Sequence, residues 1–230
     1  MFKIETHLHT SHVSRCGYLD AAELTERYAA AGYSGIIVTD HFNRITYDYL
    51  GIDPAGPGDR IGPFLEGVRR MEEEGAKRGL RIYKGAELRF DECENDYLFY
   101  GWPDELLSDP ESVFRMGVAA FAPLARAAGA VLFQAHPYRH GCTPAIACYL
   151  DGVEVRNTNP RHDSHDSWAE RYAAEFGLPR LEGSDCHRVG DEARAGILTE
   201  ELPADSKAMA ELIRAGRYTL IGDEGKGPAA

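Results

Sequence analysis

No run of about 18 apolar residues occurs in this 230-residue chain, so no membrane-spanning helix is expected. Positive charge is scarce: 25 Lys and Arg face 37 Asp and Glu, a net charge of −12. Such a surface repels phosphate backbones, so no nucleic-acid partner is expected. Cysteine is thin and odd in number, five in all, with no zinc-ribbon spacing, which points to free thiols in a reducing, cytoplasmic setting. There is no leader pattern ahead of the first strand-like run, Phe2-Lys3-Ile4. No 20–50-residue repeat, low-complexity block or dividing linker is found. Hydrophobic residues make up 43%, enough to bury the core of a globular chain of this length.

What is present is histidine and carboxylate at the ends of apolar runs. His7 and His9 flank Leu8 at the end of the first run. Alternation along a strand turns both imidazoles to one side, a chelating pair. Gly35 to Thr39 is a short apolar run of the buried parallel-strand kind, ending in Asp40-His41. Leu80 to Leu88 carries Glu87, Ala130 to Ala135 leads to His136, Gly152 to Asn157 ends in Asn157, and Pro179 to Ser184 leads to Asp185 and His187. Tyr97 to Gly101 completes seven strand-like runs before residue 190. Ile197 to Thr199 and Tyr218 to Ile221 are strand-like too.

Helices are expected between them. Asp20 with Glu23 forms a capping-box pattern for a helix to about Ala31, ended by Gly32. Others are expected over residues 64–78, 111–128 with a kink at Pro123, 166–176 and 206–214. Residues 42–63, rich in Gly and Pro from Gly51 to Gly62, are expected to be the longest loop, either a lid or plain surface. Strands alternating with helices imply a parallel sheet with right-handed crossovers. Polar clusters spread from the first strand to the last favour a ring, a closed or nearly closed barrel in a single α/β domain, with its site at the C-terminal strand ends. The domain is expected over residues 1–222, with 223–230 a flexible tail.

His7-Leu8-His9, Thr39-Asp40-His41, Gly85-Ala86-Glu87, Ala135-His136-Pro137 and Gly183-Ser184-Asp185-Cys186-His187 together resemble the ordered motifs of the PHP (polymerase and histidinol phosphatase) superfamily. The resemblance implies a distorted (β/α)7 TIM-like barrel and phosphoester hydrolysis at two or three divalent metal ions. It implies that His7, His9, Glu87 and Asp185 hold one ion, that Glu87 bridges to a second shared with His136, and that His41 and His187 hold a third. Two departures stand out. Many members have another His between the motifs matching Glu87 and His136, and residues 88–135 contain none. Many also have an Asp or His five or six residues after the second His of the opening pair, where this chain has Ser14 and Arg15. His12 is the candidate to fill that gap. Asp40 is expected to hydrogen-bond a ligating His.

Imidazole with carboxylate suits zinc, manganese or iron, and the lack of Cys in the motifs argues against a structural zinc site. Such ions, roughly 3.5–4 Å apart, grip a phosphoryl group and turn bound water into hydroxide near neutral pH. Arg139 is the first candidate to neutralise phosphoryl oxygens, with Arg44, Arg156 and Arg161 behind it. Asn157 reads equally as a substrate contact or a turn residue. His140, His162 and His165 read as surface residues, and Cys186 as buried and inert. The expected function is metal-dependent hydrolysis of a small-molecule phosphate ester, histidinol-phosphate- or nucleotide-like, with phosphate as product. The alternatives are a metal-dependent amidohydrolase, a polymerase-type exonuclease and a non-catalytic metal-binding domain.

Overall fold

The computed structural model of the chain describes residues 1–223, so the expected 223–230 tail, apart from Asp223, lies outside the described residues. Ten strands form one continuous curved sheet with seven α-helices around it. In chain order these are β1 (Phe2–Glu5), α1 (Ala21–Ala30), β2 (Tyr33–Val38), β3 (His41–Phe42), α2 (Arg44–Leu50), α3 (Glu66–Ala76), β4 (Arg81–Arg89), β5 (Asp96–Tyr100), α4 (Pro110–Met116), α5 (Val118–Ala127), β6 (Val131–Gln134), β7 (Gly152–Asn157), α6 (Asp166–Phe176), β8 (Arg180–Gly183), β9 (Ile197–Thr199), α7 (Ser206–Arg214) and β10 (Thr219–Leu220).

The strand order is β10-β9-β1-β2-β4-β5-β6-β7-β8, with β3 added to β4. The ends of this row nearly meet, giving the distorted TIM-like barrel. Above β1 and β8, Leu8 and Cys186 form a parallel bridge, and His9 N–H donates to Cys186 O at 3.0 Å. Below, β9 and β10 fill the gap: Tyr218 Oη donates to Arg180 O at 2.8 Å, and Gly222 N–H donates to Glu182 Oε1 at 2.6 Å.

Three expectations are corrected. First, β5 runs antiparallel to both neighbours, and β9 and β10 are antiparallel as well, so the sheet is not wholly parallel. Only six residues separate β4 from β5, too few for a crossover and enough for a tight reversal. Second, residues 44–50 of the expected loop are helical, because the Asn43 side chain accepts from Thr46 N–H and Gly51 ends the helix in the left-handed conformation. Third, the expected 111–128 helix is two helices broken at Gly117, whose φ is 76°. Pro123 sits within α5 without breaking it; it and Ala119, four residues earlier, lie on the exposed face. The Ala119 carbonyl freed by the missing N–H there meets water.

Elsewhere pattern and structure agree. Asp20 and Glu23 form the capping box of α1, an arrangement that stabilises a helix by about 1 kcal/mol. Helix α1 buries Leu24 and Tyr28 against β2 and α3. The main core is strongly aromatic, with Phe42, Phe64, Phe99, Trp102, Phe114 and Phe121 packed outside the β4–β6 side of the sheet.

Candidate metal centre

The two opening histidines are fixed by a buried carboxylate that the motif reading missed. Glu5 is fully buried at the end of β1, and its Oε1 accepts N–H groups from Thr6, His7 and Ser184 at 2.9, 2.9 and 3.1 Å. Its Oε2 accepts from Tyr28 Oη at 2.7 Å. One side chain therefore pins the His7-Leu8-His9 turn to the loop after β8. Gly183 is needed here, because a Cβ at that position would overlap His7 Cβ and Glu154.

The hydrogen-bond network assigns both imidazole tautomers. His7 Nδ1–H donates to Glu154 Oε1 at 2.8 Å, a buried carboxylate on β7 that also accepts His136 N–H at 3.0 Å. His9 Nδ1 lies 3.4 Å from Ser14 Oγ, which itself donates to Asp40 Oδ1 at 2.7 Å. Each ring thus turns a bare Nε2 inward, 3.2 Å from the other. His9 is further held by stacking, with His41 and His187 each at a ring-centroid distance of 4.3 Å.

Around these nitrogens the carboxylates close in. Asp185 Oδ1 lies 3.1 Å from His9 Nε2 and 3.4 Å from His7 Nε2. Glu87 Oε1 lies 3.4 Å from His7 Nε2 and 3.0 Å from His136 Nε2. Glu87 Oε2 lies 3.3 Å from His9 Nε2 and 2.8 Å from His41 Nδ1. The β3–β4 register makes His41 and Glu87 direct neighbours. Oε2 and Nδ1 are nevertheless misaligned for a hydrogen bond, and both buried atoms lack a partner. Three lone-pair donors, His7 Nε2, His9 Nε2 and Asp185 Oδ1, lie 3.1–3.4 Å apart and have the edges of one face of a small coordination polyhedron, which Glu87 approaches through Oε1 at His7 and Oε2 at His9. Ligands about 2.0–2.1 Å from a tetrahedral ion lie about 3.3 Å from one another. Without a cation such a buried cluster would be costly, so the residues present fit divalent ions. The metal-capable groupings among the described residues are His7-His9-Asp185, His7-Glu87-His136, His9-His41-His187 and His41-Glu87-Asp96.

The groups of the cluster shift one another's protonation. Burial opposes charging of His7, yet Glu154, Asp185 and Glu87 lift its pKa well above the ordinary value. Burial, followed by the charges of His187 and His41, holds His9 well below it. Burial would raise Glu87 and Asp185, but the histidines around them push both well below the carboxylate range. Two donors also carry positive φ, His136 at 28° and Asp185 at 50°. Such backbone costs on the order of 1–3 kcal/mol and survives where surroundings enforce it, typically at functional sites.

Several sequence expectations change here. His12 does not approach the cluster: its Nε2 accepts Ala21 N–H at 3.2 Å, satisfying the first turn of α1. Asp40 bonds no histidine ring directly; it accepts from Thr10 N–H, Thr10 Oγ1 and Ser14 Oγ, and reaches His9 through Ser14. Asn157 is buried and donates to Glu154 Oε2 at 3.0 Å and Asp185 Oδ2 at 3.3 Å, so it supports a donor. Arg44, Arg156 and Arg161 are paired with Asp91 and Glu111, Glu182, and Asp191. Arg139 does reach the site, donating to Asp185 Oδ2 at 2.8 Å and Ser164 Oγ at 3.3 Å.

A cavity of about 490 Å³ opens over these groups, lined by His41, Glu87, Arg89, His136, Arg139 and Asp185, with Cys16, His140, Cys142, His162 and His187 also in its lining. His165 lies apart, stacked on Trp168. Cys186 is buried, and burial pushes its thiol pKa upward. Cys16 and Glu154 carried no motif signal; Glu154 sits mid-strand among apolar residues, where a buried acid needs a partner, and that was its one sequence cue.

No family model and no curated protein matches the sequence. Solved structures do match in three dimensions. A two-domain protein from Bacteroides vulgatus containing a predicted PHP-like metal-dependent phosphoesterase superposes with a TM-score of 0.67 at 17% identity, over 95% of this chain and 64% of that one. The chain therefore spans under two thirds of that protein's length. PsfC from Pseudomonas syringae gives 0.65 at 16% identity, over 91% of this chain and 87% of that one. An amidohydrolase from Chromobacterium violaceum, with bound sulfate and no metal, gives 0.55 at 16% identity, over 94% and 97%. The fold of this chain is the TIM-like barrel of the PHP-like metal-dependent phosphoesterases.

Proposed function

We propose that this protein is a metal-dependent phosphoesterase that hydrolyses small phosphomonoesters, histidinol-phosphate- or nucleotide-like, and releases phosphate, and that residues 1–222 form its hydrolase domain. The observation that carries the reading is the convergence of inward-facing donors on Glu87, which lies within 3.4 Å of four different imidazoles. In this reading His7, His9, Glu87 and Asp185 hold one ion, Glu87 and His136 a second, and His41 and His187 a third, drawn from zinc, manganese or iron. Bound ions would supply Lewis-acid stabilisation of phosphoryl oxygens and lower the pKa of a coordinated water.

The chain's own groups do the rest. Glu154, Ser14 and the Asp185 carbonyl hold the distal nitrogens of His7, His9 and His187, fixing which nitrogen faces the cavity. Arg139, tied to Asp185 and hydrogen-bonded to Ser164, presents a guanidinium beside the donors, where an incoming anionic oxygen would share it. Arg89 is held in the wall by Asp96 through two bonds at 2.7 and 2.6 Å. A site with several ions suits a group with several anionic oxygens, and the cavity suits a small molecule. The net charge of −12 argues against a long polyanion.

The amidohydrolase neighbour supports a second reading, attack on a carbonyl carbon in the same site. The test is elemental analysis of protein purified without chelator, then a panel of sugar, amino-alcohol and nucleotide phosphates, cyclic and linear amides, and single-stranded DNA, with added metal. Phosphate release from monoesters with inert amides and DNA is expected. Amide turnover alone would transfer the assignment to the second reading, and less than one ion per chain would remove both.

A further inference from the structure

We propose that the sulfur of Cys16 is the third protein ligand of the ion held by His41 and His187, so that this ion has a thiolate in its shell. The proposal rests on the metal-dependent reading above and adds to it a ligand and a metal preference. In the family the chain resembles, an Asp or His from this loop is expected, and the candidate His12 is occupied at α1.

The loop is built to place Cys16. Ser14 N–H donates to Thr10 O at 3.1 Å and Gly17 N–H to Ser14 O at 2.9 Å, making two successive tight turns. Gly17 lies so close to the Thr10 carbonyl that a Cβ would collide with it, which allows the chain to fold back there. Tyr18 N–H then donates to His187 O at 2.8 Å, fastening the loop to the segment that carries His187. Cys16, between these anchors, lines the metal-centre cavity together with His41 and His187, and both imidazoles act on its thiol. His187 Nδ1 is 2.7 Å from the Asp185 carbonyl, which leaves Nε2 for a ligand. Independently of the cysteine, Glu87 Oε2, fully buried, and His41 Nδ1 lie 2.8 Å apart without a hydrogen bond, which marks the same place as suited to a cation.

The other thiols lack this arrangement. Cys142 lines the same cavity but lies 3.8 Å from His136 Nδ1, the nitrogen turned away from Glu87, while Cys93 and Cys148 are exposed. Two imidazoles and a thiolate make a soft donor set that selects zinc, cobalt or iron over magnesium and manganese. On binding, the thiol proton passes to solvent and the sulfur lone pair forms the bond.

The test is reconstitution of the whole protein with cobalt(II), read by absorption and by metal count. Wild type is expected to show near-ultraviolet thiolate-to-cobalt charge transfer. Cys16→Ser should lose that band and about one cobalt per chain. Cys142→Ser should keep both, and Cys16→Asp should keep the cobalt without the band. Melting of the metal-free variants checks that each is folded. Full cobalt loading of wild type without the band, or a band that survives Cys16→Ser, would overturn the Cys16 assignment and leave the hydrolase reading standing. Failure of wild type to bind cobalt at all would overturn both.

Discussion

On the β1–β8 side of the site every inward donor has a partner behind it: Glu154 for His7, Ser14 for His9, the Asp185 carbonyl for His187, and Arg139 with Asn157 for Asp185. On the β4–β6 side His136 has only a sulfur at 3.8 Å behind it, Glu87 Oε2 has no hydrogen bond, and residues 88–135 supply no imidazole. The two sides share Glu87 yet differ in how far their geometry is fixed in advance. Donors locked from behind lose little freedom on binding an ion, whereas loose ones must be ordered by it. The first ion is therefore expected to bind tightly and the second to exchange.

The sharpest way to break this contrast is to remove a donor from the rigid side. His9→Ala or Asp185→Ala should abolish turnover and lower the bound-metal count, as measured by steady-state assay and elemental analysis. His136→Ala should instead lose the weaker ion and keep the first; a metal count that falls to zero would show that the two sides bind as one unit. Glu154→Gln keeps the shape but weakens the grip on His7, and should reduce affinity for the tight ion by about 10–100-fold in chelator competition.

Metal removal reports on both sides together. Stripped protein should melt at lower temperature, since bound ions stabilise the folded state by mass action. It should also respond to pH through His136. Burial and Arg139 oppose its proton and Cys142 and Glu87 favour it, leaving its pKa raised to about 9. Because that value exceeds the unfolded one, its stabilising contribution is full below about pH 6.5 and is lost as pH rises through about 9. Urea midpoints of stripped protein should fall across that window, while loaded protein should hold or gain, because ions bind the deprotonated ring. The smallest effect is expected at Arg139→Ala, about a tenfold rise in KM with kcat less changed, since one charge-assisted contact is removed.

The donors at strand ends were legible because alternation and apolar runs reveal which positions face the barrel mouth. His7, His9, His41, Glu87, His136, Asp185 and His187 all meet in one cluster. The supporting groups were less legible, since Glu5, Ser14 and Glu154 act through contacts with residues distant in the chain that no local pattern encodes. His12 misled because spacing alone cannot tell a loop that points inward from one that caps the next helix. The antiparallel β5 was hidden for a related reason: an apolar run shows a buried strand but carries no direction.

The contact of His9 with Asp185 spans 176 positions of chain, as does that of Thr6 with Glu182. At a synthesis rate of about 5–20 residues per second, roughly 10–35 s separate the appearance of the first donor from that of the last. Through that interval β1 lacks its β8-side and β9 partners, and His7 and His9 are free to capture stray ions singly. Contacts so distant also form slowly once the chain is whole. Ring closure and assembly of the full set of donors are therefore expected to be one late event, and a chain truncated before Asp185 carries a chelating pair without a centre to build.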